Sequence, residues 1–219
     1  MINWDRTGPA LWDATMETLY MVFASMGLAV LLGIPLGVLL LLTAPDGLIP
    51  RRTFSAVLGG IVNAGRSVPF IVLLVLVAPI TRLVTGTTIG STATIVPLTI
   101  AAVPFLARLV EAALREVSPG KLEAARSMGA STSQIVRTVL LPEARPGLIA
   151  ASTVTLIALI SYSAMAGAIG GGGLGDFAIR YGYQRFDTAI TVLCVVVLLV
   201  LVQLLQSAGD RLARQLSHR

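Results

Sequence analysis

The chain has 219 residues, of which 55 % are hydrophobic and 12 % are charged, and its mean hydropathy is +0.86. Soluble domains carry about 25 % charged residues, so this composition excludes a soluble globular protein and indicates an integral membrane protein. The formal net charge of +5 does not indicate nucleic-acid binding, because the basic residues lie at the ends of apolar segments and not on one face. The length allows about five or six membrane helices and excludes a large soluble domain.

The N-terminal segment precedes the first apolar run and carries the acidic residues Asp5, Asp13 and Glu17. Secretory signals carry positive charge at this position, so we expect the first apolar segment to stay as a membrane anchor. Within that segment, Gly33 and Gly37 flank a proline, which is a small-xxx-small pattern that permits close helix packing with a kink.

Five apolar stretches are long enough to cross a bilayer, so the chain is expected to be a single all-α membrane domain over residues 1–219. We expect the second helix to start irregularly, the last turns of the third to project into the cytoplasm, and Pro146 to occupy the first position of the fourth. The predicted spans cover residues 16–43, 54–82, 92–117, 146–168 and 188–208, with a polar loop over 118–145.

Lysine and arginine residues are distributed unequally between the two sets of loops. Short loops rich in these residues are retained in the cytoplasm. One set holds Arg51, Arg52, Arg108, Arg115, Lys121, Arg126, Arg137, Arg145, Arg211, Arg214 and Arg219, and the other holds only Arg6, Arg82, Arg180 and Arg185. We therefore predict an outside N-terminus, an inside C-terminus and a cytoplasmic loop over 118–145.

The first half of that loop has the pattern of a short amphipathic helix. Ser118 is a possible N-cap and Pro119 suits the first helical position. Leu122, Ala125 and Met128 then follow at three-residue spacing, which places them on one face of a helix.

The second half of the loop predicts a sharp break and another short helix. Gly129 suits a left-handed cap, and Ser131 with Gln134 resembles a capping box that starts a helix ending before Pro142. On the residues alone, two interpretations stay open. The segment either lies on lipid headgroups as an interfacial helix or forms a surface for another protein.

The same loop resembles the EAA motif of the permeases of ABC importers, with a valine where isoleucine is usual. The residues that carry the resemblance are Glu123, Ala124, Ala125, Gly129, Val139, Leu141 and Pro142. The resemblance implies that the loop holds the coupling helix, which docks into a groove on a separate ATPase subunit and carries its closure to the membrane helices. It also implies a docking surface formed by Glu123, Ala124, Ala125 and Gly129, which favours the protein-surface interpretation.

Segments elsewhere resemble the permeases of methionine ABC importers, over almost the whole chain from about Gly33 to Arg214. They include Asn63-x-x-Arg66-Ser67-x-Pro69-Phe70-Ile71, Gly86-Thr87-x-Ile89-Gly90, Ile95-Val96-Pro97-Leu98-Thr99, Tyr162-Ser163-Ala164-Met165 and Gly172-Gly173-Leu174-Gly175. The resemblance implies a type I importer permease fold in the cytoplasmic (inner) membrane. It further implies a homodimer, two copies of a cytoplasmic ATPase and an extracytoplasmic methionine-binding protein.

Five residues are candidates for the translocation pathway. Arg66 is a charge within an apolar region, and such a charge is usually paired, snorkels to the interface, or lines a water-filled path. Ser161, Tyr162, Ser163 and Met165 place polar and polarisable groups in the fourth span. They are candidates for lining the route, although helix contacts explain such residues equally well.

The sequence predicts no cofactor, metal or catalytic site. Gly170, Gly172 and Gly175 formally match GxGxxG, but no strand precedes them and no GK[ST] follows, so we expect either a flexible outer loop or a close backbone contact. The one cysteine, Cys194, lies in an apolar run and the one histidine, His218, lies in the tail, whereas metal sites need several ligands. ATP hydrolysis is therefore expected on a partner subunit.

The function expected from the resemblance is ATP-driven import of methionine by alternating access. One alternative keeps the importer and changes the cargo to another amino acid or a short peptide. A second is a secondary transporter or channel that works without ATP, which predicts buried titratable residues or inverted repeats, and the spans offer few of either. A membrane-embedded enzyme would need clustered catalytic side chains, which the sequence lacks.

Overall fold

The structure, a computed structural model, describes residues 4–217, so His218 lies outside the described residues. Within this range the chain is helical and forms no strand. Its long helices are α1 (Trp4–Thr43), α5 (Ser91–Arg115), α9 (Arg145–Gly167) and α11 (Thr188–Ser217). The short ones are α2 (Arg52–Ser67), α3 (Phe70–Leu76), α4 (Ala78–Thr85), α6 (Pro119–Ser127), α7 (Thr132–Ile135), α8 (Leu141–Glu143) and α10 (Gly173–Phe177).

Two of the connections are π-helical. The first π turn, Val136–Leu140, joins α7 to α8, and the second, Ala178–Tyr183, follows α10 directly. The segment from Thr132 to Glu143 is thus helical throughout.

Four helices of the described chain are long and apolar enough to cross a membrane, namely α1, α5, α9 and α11. A fifth span results if α2 and α3, which meet at an angle of 105°, count as one broken span. At about 1.5 Å per residue, α1 is longer than the hydrocarbon core of about 30 Å. It begins twelve residues before the predicted span, at Trp4, and α11 continues beyond residue 208 to Ser217.

The second apolar stretch differs from the single helix that the sequence predicts over 54–82, because the chain forms three helices there. Val68 leaves the helical region, with φ −77° and ψ 124°, directly before Pro69. A residue that precedes proline is pushed towards extended conformations, and proline has no N–H to donate into the helix. A second break follows at Val77, where α4 begins with a proline in its first turn.

The core lies where α1 packs along α5, and α9 packs against both helices. Close approach of α1 and α5 depends on Gly37, since a Cβ there would lie 2.6 Å from the carbonyl oxygen of Ala107 and from Cγ1 of Val110. Leu106 and Val110 of α5 are fully buried in this contact. The close packing predicted from the glycine spacing in the first span is therefore confirmed.

Helix α11 packs against α9 at the edge of the molecule and leaves most of its surface uncovered. Only 11 % of its apolar segment is buried. A contiguous exposed apolar face of this size is suited to contact with lipid or with another membrane chain. Its exposed side chains include Val192, Val195, Val196, Leu199, Val200 and Leu204.

Candidate functional site

The loop predicted to be cytoplasmic forms a helix, a sharp break and a second helix, as its sequence indicates. Gly129 has a φ of +79°, which is the left-handed conformation expected of it. The capping box is also present, because the Ser131 N–H donates to Oε1 of Gln134 at 2.7 Å and the Gln134 N–H donates to Oγ of Ser131 at 3.3 Å. These two features fix the direction in which the chain leaves α6 and enters α7.

The end of the second helix was predicted wrongly, since the helical backbone continues through Pro142 to Glu143. Proline inside an α-helix clashes with the carbonyl of the residue four positions before it and donates no hydrogen bond. The π turn Val136–Leu140 ends two residues before Pro142, which lies in the first turn of α8. The wider backbone of the π turn accommodates the proline without ending the helix.

Helix α6 presents part of the motif outward and part inward. Glu123 and Ala124 are exposed, whereas Ala125 is 4 % exposed and packs into the core. Gly129 is exposed and has open space where a Cβ would lie. The outward surface is thus formed by Glu123, Ala124 and Gly129, and Ala125 anchors the helix from beneath.

Leu141 and Pro142 are half-buried and lie at the other end of the loop. Leu141 packs against the core. The loop is held to itself by an ion pair between Nζ of Lys121 and Oε2 of Glu143 at 2.5 Å. The ion pair joins the start of α6 to the end of α8.

Met128 departs from the apolar face that its spacing predicts. It is 81 % exposed, because α6 ends at Ser127 and Met128 occupies the cap position with φ −80° and ψ 3°. The helical register therefore does not carry it onto the face of Ala125. An exposed, flexible thioether beside Gly129 adds an adaptable apolar contact to this surface.

A network of charges that the sequence did not reveal lies at the same end of the molecule. Glu111 is 6 % exposed and accepts hydrogen bonds from both Arg108 and Arg115. Arg115 also pairs with Asp46 in the turn between α1 and α2, at 3.0 Å. Arg108 and Arg115 lie three and four residues from Glu111, at spacings where ion pairs form along one helix. Asp46 lies far from Arg115 in the sequence, so no local pattern could have found that link.

A cleft of about 270 Å³ separates α6 from the ends of α1 and α5. Asp46, Arg115, Glu123 and Arg126 bring charges of both signs to its walls. Such a cleft leaves α6 supported at its ends and along Ala125 rather than packed over its whole length.

The predicted pathway residues do not share one face of α9. Ser161 is exposed and Met165 is 50 % exposed, whereas Ser163 is buried and its Oγ donates to the carbonyl oxygen of Ile160 at 2.8 Å. Ser161 and Met165, four residues apart, therefore share the open face, and Ser163 points into helix contacts.

Tyr162 is half-buried and stacks on Phe70 of α3, with ring centroids 4.7 Å apart and planes inclined by 9°. This contact joins α9 to the broken second stretch. Arg66, at the end of α2, is exposed and its guanidinium carbon lies 5.9 Å from the ring centroid of Phe105. Among residues 4–217 no carboxylate forms an ion pair with Arg66.

The glycine-rich segment between α9 and α10 is tightly bound, not a flexible loop. The N–H of Gly173 donates to Oε2 of Glu17 at 2.7 Å, and the N–H of Leu174 donates to Oγ1 of Thr18 at 2.9 Å. Gly172 has a φ of +80°, and a Cβ there would lie 2.7 Å from the Glu17 carboxylate. Of the two expected roles, the structure supports the close backbone contact.

Next to this segment lies a cavity of about 310 Å³ between α3, α4, α5 and the end of α9. Its polar side chains are the threonines Thr81, Thr88 and Thr94, and no charged side chain lines it. A zwitterionic amino acid would find hydrogen-bonding groups there but no counter-charge.

The fold and these surfaces define a membrane-spanning, all-α transport protein with a folded polar loop at one end. Residues 29–218 match the family of binding-protein-dependent transport system inner membrane components, and the chain belongs to this family. The predicted family and the type I importer permease fold are thereby confirmed, as is a multi-pass location in the inner membrane. Members of this family are permease subunits and not enzymes.

Relatives and solved structures that match nearly the whole chain include two permeases and one transporter chain. The probable D-methionine transport system permease protein MetI of Vibrio cholerae is 56 % identical over 209 residues, which is 95 % of this chain and 93 % of the relative. The methionine import system permease protein MetP of Bacillus subtilis is 45 % identical, over 95 % and 94 %. A chain of the MetNI methionine ABC transporter, solved in inward-facing conformations, superposes with a TM-score of 0.95, 47 % identity and 99 % coverage of both chains.

Proposed function

We propose that this chain is the permease subunit of an ATP-driven ABC importer that carries methionine across the cytoplasmic membrane by alternating access. The observation that carries the proposal is the superposition on a methionine ABC transporter chain at a TM-score of 0.95 over 99 % of both chains. At 47 % identity this similarity includes the polar loop and all long helices, and not only a shared architecture. Both curated relatives carry methionine in their names.

The partners follow from the same proposal. The permease forms a homodimer, and each copy docks one cytoplasmic ATPase subunit through the loop of α6 to α8. An extracytoplasmic methionine-binding protein delivers the substrate to the opposite side. Five spans, at about 16–43, 54–82, 92–117, 146–168 and 188–208, place the N-terminus outside and the C-terminus inside, which the distribution of lysine and arginine supports.

The docking surface is formed by the outward residues of the loop. Glu123 offers a carboxylate to a basic groove, Ala124 permits close approach, and Gly129 allows the sharp turn beside Met128. Ala125 contributes by anchoring α6 to the core, and Leu141 and Pro142 fix the return of the chain to α9. Closure of the ATPase pair moves this unit and, through it, the membrane helices.

The pathway requires little affinity for the substrate. The outer cavity offers threonine hydroxyls and apolar walls but no charged side chain, so it suits a transient contact and not a tight amino-acid site. Ser161 and Met165, which share the open face of α9, line the route in this proposal, and Tyr162 with Phe70 holds α3 against α9. The Arg66 guanidinium lies over the Phe105 ring, near the inner end of the proposed route. Selectivity then resides in the delivery protein.

Uptake of labelled substrate tests the proposal. The chain would be reconstituted in vesicles with its proposed ATPase and binding-protein partners, and uptake would be measured with ATP, without ATP, and with a nonhydrolysable analogue. We expect uptake of L- or D-methionine that requires hydrolysable ATP.

Two outcomes would revise the proposal in different ways. ATP-dependent uptake of another amino acid or of a short peptide, with none of methionine, would keep the importer and change the cargo. Uptake that proceeds equally well without ATP would contradict the importer and favour a secondary transporter.

A further inference from the structure

Glu111 on α5 is a buried carboxylate whose two oxygens are held by different arginines. Its Oε2 accepts from Nη1 of Arg108 at 2.6 Å, and its Oε1 accepts from Nη2 and Nε of Arg115 at 3.0 and 3.3 Å. The Glu111 side chain is 8 % exposed, so its charge is largely removed from water. A carboxylate in this position is stable only because the two guanidinium groups compensate it.

Each arginine reaches from Glu111 to a different segment. Arg108 donates from Nη2 to the carbonyl oxygen of Gly59 and from Nε to Oδ1 of Asn63, both at 3.2 Å, and so holds α2. Arg115 donates from Nη1 to Oδ2 of Asp46 at 3.0 Å, and so holds the turn between α1 and α2. The Glu111 carboxylate thus positions both arginines, one of which contacts α2 and the other the turn before it.

Packing alone holds α2 weakly. Only Gly59 and Val62 of its residues are buried, and the helix is separated from α3 by the 105° bend. The guanidinium of Arg108 is a planar fork with fixed donor directions, so the contact that it makes is directional as well as attractive.

The network lies directly before the docking loop. Arg115 is the last residue of α5, and α6 begins at Pro119. Arg115 and Asp46 also line the cleft beside α6, together with Glu123. A displacement of α6 therefore reaches Arg115 through three connecting residues and across the cleft.

We propose that Glu111 is a positioning residue that joins α2 and the turn before it to the end of α5, so that movement of the docking loop is passed to the broken helix α2–α3. This inference rests on the proposed function for its role in transport. Without the Glu111 charge, α5 still follows α6 through the backbone, but α2 is no longer carried with it. The motion imposed by the ATPase then fails to reach α3, which contacts α9 through Phe70 and Tyr162.

Glu111→Gln removes the charge and keeps the size of the side chain. Glu116→Gln is the matched control, because Glu116 directly follows α5, is exposed, and forms no ion pair among residues 4–217. Uptake and ATP hydrolysis are measured together in the assembled transporter. For Glu111→Gln we expect roughly a tenfold fall in substrate moved per ATP, with the rate of hydrolysis largely kept. Glu116→Gln should change neither.

An unchanged ratio of uptake to hydrolysis in Glu111→Gln contradicts the proposal. Loss of uptake and hydrolysis in equal proportion contradicts it too, because that result indicates a purely structural role in assembly.

A distance measurement tests the same inference without any transport. Spin labels are placed on Ala56 of α2 and Ala112 of α5, both exposed, in a Cys194→Ala background. The distances are measured in the permease alone. We expect one narrow distance distribution in the protein that keeps both glutamates and in Glu116→Gln, and a clearly broader distribution in Glu111→Gln. Equal widths in all three proteins would overturn the proposal. Because this readout needs neither ATPase nor substrate, failure of methionine uptake in the unmodified protein would refute the proposed function and leave this test intact.

Discussion

Individual residues decide how closely the helices approach each other. Gly37 lies where α1 crosses α5, and its missing side chain leaves room for Val110 and for the Ala107 carbonyl. Gly27, on the same helix, has no atom within 4 Å of the position of a Cβ. Substituting alanine at each glycine therefore separates the effect of packing on stability from the effect of helix propensity.

Gly37→Ala should destabilise the protein, because its Cβ would overlap backbone and buried side-chain atoms that cannot move freely. Overpacking of this kind costs about 1–3 kcal/mol. Gly27→Ala should leave the stability unchanged or raise it slightly, since alanine favours the helix. Thermal unfolding in detergent measures both changes. Equal unfolding temperatures for the two variants would contradict the close contact of α1 and α5.

Some residue roles can be predicted from a local sequence pattern, whereas others become visible only in the folded structure. Gly129 and the capping box of Ser131 were predictable, because their partners lie within a few residues along the chain. The exposure of Met128 was not, since it depends on where α6 ends. Glu111 pairs with arginines three and four residues away, at spacings that a helical pattern can reveal. The bonds from those arginines to Asn63 and Asp46 join segments far apart in sequence and could not be predicted.

At the scale of elements, the second apolar stretch differs from the other spans because its helix is broken. Pro69 ends α2 and turns α3 by 105°, so the apolar length that the sequence offers is divided among short helices. The apolar run predicted the element, but its division depends on backbone geometry at Val68 and Val77. The π turn before Pro142 was missed for a related reason, because the pattern of apolar residues does not reveal how a helix accommodates a proline.

The broken stretch is predicted to cross the membrane, which a labelling experiment can test. Single cysteines replace Ile49, before α2, and Thr87, after α4, both exposed, in a Cys194→Ala background. A membrane-impermeant maleimide applied to intact spheroplasts should label Thr87→Cys, and Ile49→Cys only after permeabilisation, because arginines retain the Ile49 loop inside. Labelling of both positions from the same side would show that α2 to α4 form a re-entrant segment.

At the scale of the whole molecule, the chain is a scaffold of four long helices with a folded loop attached to one end and a tightly bound glycine segment at the other. The loop is held to the scaffold by Ala125, by the pair of Lys121 and Glu143, and by the network around Glu111. Composition and apolar runs predicted the scaffold. The contacts that hold the loop to these helices arise only from the folded chain.

The central claim is that the loop couples this chain to an ATPase, and Gly129 offers the most direct test of it. Gly129→Trp places a large side chain on the proposed docking surface, where open space around the residue lets the permease itself fold. Gly86→Trp is the matched control, because Gly86 also has a positive φ, of +77°, and open space, but lies at the other end of the molecule. Both variants carry a similar backbone cost of about 1–2 kcal/mol.

The measurement is ATP-dependent uptake of labelled methionine by the assembled transporter with each variant, at equal amounts of folded permease. We predict that Gly129→Trp lowers uptake at least about tenfold, which corresponds to about 1.4 kcal/mol of docking free energy, and that Gly86→Trp keeps it near the unmodified level. Equal uptake by the two variants, or loss of uptake only in Gly86→Trp, would contradict coupling through this loop.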